Sequence, residues 1–313
     1  MVHNTHMRDK LSTPTIQKIL EQTAHDLQPS SIQCAEDVDL RRLEAEVLLA
    51  HVLKKDRTWL HTHPEEKLPR QIIERYKKFC HRRQHHEPIA YILGSKDFYG
   101  RSFLVNRHTL IPRPETELIV DLVKGAATDL EQAPLVWDVG TGSGAIALTL
   151  AQELPDSEVI ASDSSRKALF IARKNATHQH AKNIHFVHGD LLNSNIKRIL
   201  TSSSKPIIIS ANLPYLPTED KQKLAADVVR YEPHEALFAG ENGLELIRKL
   251  LEQLKKSHIR FSALFLEFDP PQAKQLHALT TSLFPSASLK NHKDLAGRNR
   301  ILSVTSTEIE KAS

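Results

Sequence analysis

The spacing of apolar residues changes character part-way along the chain, near Pro114. Before that point they recur every three or four positions, the period of a helix with one buried stripe. TIQKILEQTAHDL (15–27) has this spacing, and DVDLRRLEAEVLLAHVL (37–53) is expected to bury Leu40, Leu43, Val47 and Leu48 behind Asp39 as N-cap. A third stretch, PRQIIERYKKFCHRR (69–83), opens on a proline in its first turn, and no glycine interrupts residues 14–84. Residues 1–86 therefore read as a small all-helical domain. Pro88 and Gly94 then punctuate EPIAYILGSKDFYG, and the alternation in SFLVN predicts a short hairpin in a linker spanning 87–113.

After Pro114 short β-branched runs alternate with helical ones. APLVWDVG, SEVIASD, NIHFVHGD, KPIIISAN and SALFLEFD each close on a polar residue or glycine, with stretches such as SGAIALTLAQEL and SRKALFIARKNATH between them. This order predicts an α/β domain over 114–313, a Rossmann-like parallel sheet with helices on both faces. SASLKNHKD and NRILSVTS, joined by a glycine-containing loop, would add an antiparallel hairpin and bring the strands to seven. No internal repeat or low-complexity segment is present.

Composition narrows the class. At 313 residues the chain has room for two domains, and no apolar run approaches the roughly 20 residues of a membrane helix. Its charged start, MVHNTHMRDK, has no apolar region behind it, so a cytoplasmic location is expected. Cys34 and Cys80 lack the spacing of a disulfide framework or a zinc site. His61 with His63, and His81 with His85, have metal-compatible spacings without a supporting cysteine or carboxylate set, so no metal is expected. The net charge is +4. From Lys67 to Arg83 seven cations face only Glu74, a pattern that suits either a solvated helix face or a docking surface.

VWDVGTGSGAIAL sets Gly140, Gly142 and Gly144 between a strand and a helix, where backbone can approach a ligand and free N–H groups face it. Thr141 and Ser143 lie between those glycines. Asp163 ends the next strand, 23 residues after Gly140, placed to accept ribose hydroxyls. A dinucleotide and S-adenosylmethionine both fit these marks. Asp138 favours the second, because a carboxylate repels pyrophosphate and attracts an ammonium or sulfonium. Asp190, ending the third strand, is expected either to border an adenine ring together with Leu191 or to cap the strand end.

The fourth strand runs into ISANLPYLPTED, a rigid and partly polar corner carrying an aromatic ring. Together with LIPRPETE (110–117), DVGTGSGAIAL, YEPHEALFAGENGLELIRKL (231–250), LEFDPPQ and KDLAGRNRIL, this corner resembles the peptide-chain release factor glutamine N5-methyltransferases, the PrmC or HemK family of class I methyltransferases. The resemblance runs from about residue 86 to 305. It implies S-adenosylmethionine as cofactor, bound by Gly140, Thr141, Gly142, Ser143, Gly144, Asp163, Asp190, Leu191 and Asn212, with Phe103 flanking the methyl-transfer site, although on sequence alone Phe103 reads equally as a core residue of the hairpin. It implies a class I release factor as partner, methylated on the glutamine of its GGQ motif. Catalytic roles fall to Asn212, Pro214 and Tyr215. Asn212 and the Leu213 carbonyl would accept the two N–H bonds of the substrate amide, while Pro214 and Tyr215 shape the pocket.

An amide nitrogen is a poor nucleophile whose proton no ordinary side chain removes at neutral pH, so positioning must replace a strong base. Exocyclic adenine amines pose the same problem, and NLPY is shared with adenine dimethyltransferases of ribosomal RNA. An adenine methyltransferase is therefore one alternative, and a cofactor-binding protein without turnover is the other. Two departures bear on the last: Leu213 stands where the family usually has proline, and Asp269 where it has glycine. Arg113 and Glu115 are expected to order the linker or pair at the surface, and Glu232 to organise a loop. A monomer that needs no direct nucleic-acid contact and no membrane is expected.

Overall fold

The computed structural model describes residues 13–27 and 38–306, and Cys34 lies outside them. The chain divides into two compact units, Met1–Leu93 with Ala225–Arg230, and Gly94–Leu224 with Tyr231–Ser313. The hairpin expected as a linker thus belongs with the sheet, and a six-residue segment from far along the chain belongs with the helices.

The helical unit contains α1 (Ile16–Asp26), α2 (Val38–Leu53), α3 (Arg57–Thr62), α4 (Arg70–Gln84) and α5 (Ile89–Leu93). Thr15 caps α1 by accepting from the Lys18 N–H, and Asp56 caps α3 by accepting from the Trp59 N–H at 2.7 Å. Ile16, Leu20, Leu48, Leu49, Leu60, Leu68 and Tyr76 form its core. Two expectations fail in α2. Asp39 lies inside the first turn instead of capping it. The buried stripe is Ala45, Leu48, Leu49 and Val52, with Leu43 37% exposed. Buried Glu46 explains the rotation: it bonds Arg42 and Arg57, and His61 stands 3.3 Å from it, so the polar anchor of the helix points inward.

The basic run in α4 is likewise divided. Arg82 is held by Glu87, and buried Arg83 by a forked pair with Glu44, with Asp227 at 3.8 Å. Arg75, Lys77 and Lys78 remain exposed.

The second unit begins with hairpin β1 (Ser95–Phe98) and β2 (Arg101–Leu104), followed by α6 (Glu117–Thr128), β3 (Leu135–Val139), α7 (Ala145–Glu153), β4 (Glu158–Asp163), α8 (Arg166–His178), β5 (Ile184–His188), α9 (Ser194–Ser202) and β6 (Ile207–Ala211). The chain then passes through α10 (Ala226–Tyr231), nearly all of which belongs to the helical unit. It returns for α11 (Glu245–Lys256), β7 (Ala263–Glu267), α12 (Ala273–Leu283), β8 (Ala287–Lys293) and β9 (Asn299–Ser306). The seven strands of the main sheet are ordered β5-β4-β3-β6-β7-β9-β8. β3 to β7 are parallel, and β9 pairs antiparallel with both β7 and β8.

Residues on β3 alternate between two cores, Trp137 and Val139 on one face and Val136 on the other, which is why its sequence is apolar almost throughout. The Trp137 indole N–H donates to Ser162 Oγ at 2.8 Å and so loses no hydrogen bond on burial. Strand order reverses direction between β3 and β6. That break opens a crevice at the carboxyl ends of the strands.

Candidate active site

The crevice is a cleft open to solvent, walled by the turn after β3, the ends of β4 to β6 and the segment around Pro112. Gly140, Thr141, Gly142, Ser143, Asp163, Asp190, Leu191, Asn212, Leu213 and Pro214 all line it. Gly140 has φ +71, and a Cβ there would sit 3.0 Å from Leu213 Cδ2. Strand β6's corner can therefore press on the turn after β3 only across a glycine.

Asp163 organises that turn. Its Oδ2 accepts the Gly142 N–H at 2.8 Å and its Oδ1 the Ser165 N–H at 2.7 Å. Burial pushes its pKa up, and these two N–H groups oppose the shift. Each oxygen keeps a lone pair for a ligand hydroxyl. Asn175 ties the turn to the hairpin: its Nδ2 donates to Ser143 O and Leu104 O, and its Oδ1 accepts the Leu104 N–H at 2.7 Å. Sequence reasoning missed Asn175, a buried asparagine in the last turn of α8 whose partners all lie on other elements.

At the corner, Asn212 Nδ2 donates to Thr116 Oγ1 at 3.1 Å. Its carbonyl end is left available to a ligand. Leu213 is 4% exposed, its side chain filling the space above Gly140. Tyr215 does not line the cleft; its O–H meets Glu267 Oε1 at 3.3 Å and its carbonyl accepts Gln272 Nε2 at 2.7 Å. Glu267 is fully buried at the end of β7, and burial pushes it up to about 7.

Other expectations are relocated. Phe103 is fully buried between the hairpin and the helices, and it is Phe98, in edge contact with it at 6.1 Å, that lines the cleft. Gly144 lies below the surface at the start of α7. Asp138 stands behind the wall, 1% exposed, accepting from Ser210 Oγ at 2.9 Å, and burial pushes it up to about 7. Its charge is therefore not presented to a ligand, and the electrostatic choice between cofactors loses that support. Arg113 pairs with Glu232 at 2.5 Å, not with Glu115; Glu232 also accepts the Ile111 N–H at 3.0 Å and so anchors the Pro112 segment over the cleft. Asp269 has φ −77, a conformation open to any residue, and its N–H donates to Gln272 Oε1. Asp190 is exposed and paired with Lys249. Among the described residues no cluster of three or more His, Cys, Asp or Glu could hold a metal ion, and no helix is long and apolar enough to cross a membrane.

The cleft fits an adenosine-bearing cofactor on its own chemistry. Thr141 Oγ1 is buried in the lining with the Asp138 carboxyl as its polar neighbour. Gly140 and Gly142 leave backbone bare beside it, and Asp163 offers ribose acceptors.

The release factor glutamine methyltransferase of Staphylococcus aureus is 34% identical to this chain over 273 residues, covering 87% of this chain and 95% of that protein. The chain belongs to the release factor glutamine methyltransferase family. Within this family the Neisseria gonorrhoeae protein is 42% identical over 213 residues, covering 68% of this chain and 75% of that one. Residues 27–94 match the PrmC N-terminal domain and residues 136–231 a methyltransferase domain. A bifunctional methyltransferase of Rickettsia bellii is 33% identical across 95% of this chain, which spans 56% of that protein's length. Family membership and the strand order agree that the sheet is that of a class I methyltransferase. The hMettl16 catalytic domain, solved in complex with MAT2A 3'UTR hairpin 1, shares this fold at a TM-score of 0.55 and 15% identity, over 71% of this chain and 80% of that one.

Proposed function

We propose that the chain transfers a methyl group from S-adenosylmethionine to the side-chain amide nitrogen, N5, of the glutamine in the GGQ motif of class I release factors. The observation that carries this reading is the orientation of Asn212, whose NH2 end is held by Thr116 so that its carbonyl oxygen is free to accept from a substrate amide. Bound S-adenosylmethionine would supply an electrophilic methyl group on a cationic sulfur. Asp163 would hold its ribose, and the bare turn at Gly140 and Gly142 its methionine part.

The corner supplies what an unreactive amide needs. Asn212 Oδ1 and the Leu213 carbonyl take its two N–H bonds, fixing the nitrogen and favouring the positive charge that develops on it. Leu213 keeps that carbonyl, and as the residue before Pro214 it is held to an extended backbone. Pro214 shapes the wall, and Tyr215 braces it from behind. No side chain in the cleft is asked to act as a general base. The proton leaves readily for solvent once the nitrogen has been alkylated. The release factor is the protein partner in this reading, met in the cytoplasm by a monomeric enzyme that needs neither RNA nor a membrane for turnover.

Labelled S-adenosylmethionine offered with purified release factor, or separately with RNA, tests the assignment. Label in the release factor that disappears when the GGQ glutamine is replaced is the expected result. Label in RNA alone would replace this reading by an adenine methyltransferase, and cofactor binding without transfer to either would reduce the chain to a binding protein.

The Asp163→Ala variant should bind S-adenosylmethionine about 10-fold or more weakly by calorimetry, since it loses charge-assisted bonds and the brace of the glycine turn. An unchanged dissociation constant would reject the ribose assignment.

A further inference from the structure

Asn212 can serve as an acceptor only if its amide is held one way round, and the group that holds it, Thr116, comes from a separate element that also lines the cleft. Thr116 is 4% exposed. A hydroxyl has one proton to give and lone pairs to receive with. Thr116 Oγ1 receives the Asn212 NH2 at 3.1 Å, so its own proton must turn elsewhere. The nearby acceptor is the Glu267 carboxyl, fully buried at the end of β7, whose pKa the Thr116 hydroxyl lowers and which takes the Tyr215 O–H at 3.3 Å. Glu267 Oε2 is buried without a hydrogen-bond partner, an acceptor with the capacity to receive that proton.

We propose that Thr116 and Glu267 are positioning residues that set the polarity of the acceptor corner: ionised Glu267 draws the Thr116 proton, Thr116 then accepts from Asn212 Nδ2, and Asn212 Oδ1 is left facing the substrate. The inference rests on the amide-clamp reading above and deepens it. Protonation of Glu267 reverses the chain. The acid donates to Thr116, the Thr116 proton turns toward Asn212, and the amide rotates to offer its oxygen to Thr116. Its NH2 group then meets the N–H bonds of an incoming amide, donor against donor.

The direction of the pH dependence follows from the groups around Glu267. Burial pushes its pKa up to about 7, the Thr116 hydroxyl pulls it down, Glu115 pushes it up, and the Tyr215 hydroxyl and Arg300 pull it down. The ionised form is the competent one. Methyl transfer should therefore rise with pH through the neutral range and level off above it.

Single-turnover rates with release factor, and cofactor binding, are measured on the full chain. Thr116→Val is expected to lower the rate about 10-fold or more at unchanged cofactor affinity, and Thr116→Ser to restore most of it. Glu267→Gln is expected to remove the rise near neutral pH. A second measurement needs no turnover: the side-chain amide NMR signal of Asn212, assigned by its loss in Asn212→Asp, should shift with a midpoint near neutral pH in the native chain and stay fixed in Glu267→Gln. Failure of the native chain to methylate release factor would count against the substrate assignment alone, with the NMR titration still deciding the inference. Wild-type rates in Thr116→Val, or an Asn212 signal indifferent to pH, would overturn it.

Discussion

Replacing Asn212 by alanine is expected to slow methyl transfer on the order of 100-fold or more while leaving cofactor affinity within a few-fold. The asymmetry follows from where the residue stands. Asn212 lines the cleft at the end of β6, whereas the turn that would hold the cofactor is built by Asp163, Gly142 and Asn175 on other elements. Losing Asn212 leaves that turn intact. In the proposed clamp it would remove one fixed acceptor from the substrate nitrogen, an interaction that would strengthen as charge develops there, so the loss is expected in the rate and not in ground-state binding. It also releases Thr116, whose hydroxyl then has no amide to receive. Single-turnover rates at saturating cofactor, set beside a cofactor titration, separate the two effects. A rate within a few-fold of the native chain would exclude Asn212 from the amide clamp, and a parallel loss of cofactor binding would show that the corner has collapsed.

The parts of this molecule that the sequence reveals are those governed by local periodicity and chain chemistry. Each parallel strand of the main sheet closes on a polar residue or glycine, so its carboxyl end, and with it the crevice, is located by the residue pattern alone. The glycine turn is legible because its conformation restricts the choice of residue. What stays hidden is governed by registers and by partners far away in the chain. Phe98 and Phe103 are neighbours across a two-stranded hairpin in which Lys96 opposes Phe103, and nothing in FYGRSF tells which ring faces the cleft. Asp138 lies on a strand buried on both faces, where alternation has no solvent side to mark, so a residue behind the wall reads the same as one lining it. In α2 so many successive positions are apolar that the stripe has no unique phase, and buried Glu46, with ion-pair partners at residues 42 and 57, settles it.

The signature LIPRPETE shows the same limit from another side. Its value as a family mark is visible in the sequence, but its physical use is not. Arg113 reaches Glu232, 119 residues along, and Thr116 reaches Asn212, 96 residues along. One short segment thus bonds both the Glu232 loop beside the cleft and the side chain of Asn212. This explains why a stretch with no reactive side chain of its own sits among the marks of a catalytic family.

Gly243→Ala is expected to destabilise the sheet unit by about 3 kcal/mol, combining roughly 1 kcal/mol for a left-handed backbone without glycine and about 2 kcal/mol for overpacking. Gly243 has φ +69, and a Cβ there would lie 2.0 Å from the Tyr215 carbonyl oxygen and 2.5 Å from Gln272 Nε2. Neither neighbour can yield cheaply. The carbonyl belongs to the backbone of the acceptor corner, and Gln272 Nε2 is held by that carbonyl at 2.7 Å and by Asn242 O at 2.9 Å. Displacing them pushes on Tyr215, and through Pro214 on the corner itself, so the rate of methyl transfer should fall along with stability. Gly297→Ala supplies the internal comparison. Its φ of +77 is equally unfavourable to alanine, but no atom lies within 4 Å of the added carbon, so only the backbone cost of roughly 1 kcal/mol applies. Thermal unfolding of both variants isolates the contact at the corner: Gly243→Ala should melt several degrees below Gly297→Ala. Equal melting temperatures would mean that the chain after α10 moves aside freely, and that its packing against Tyr215 does not hold the corner in place.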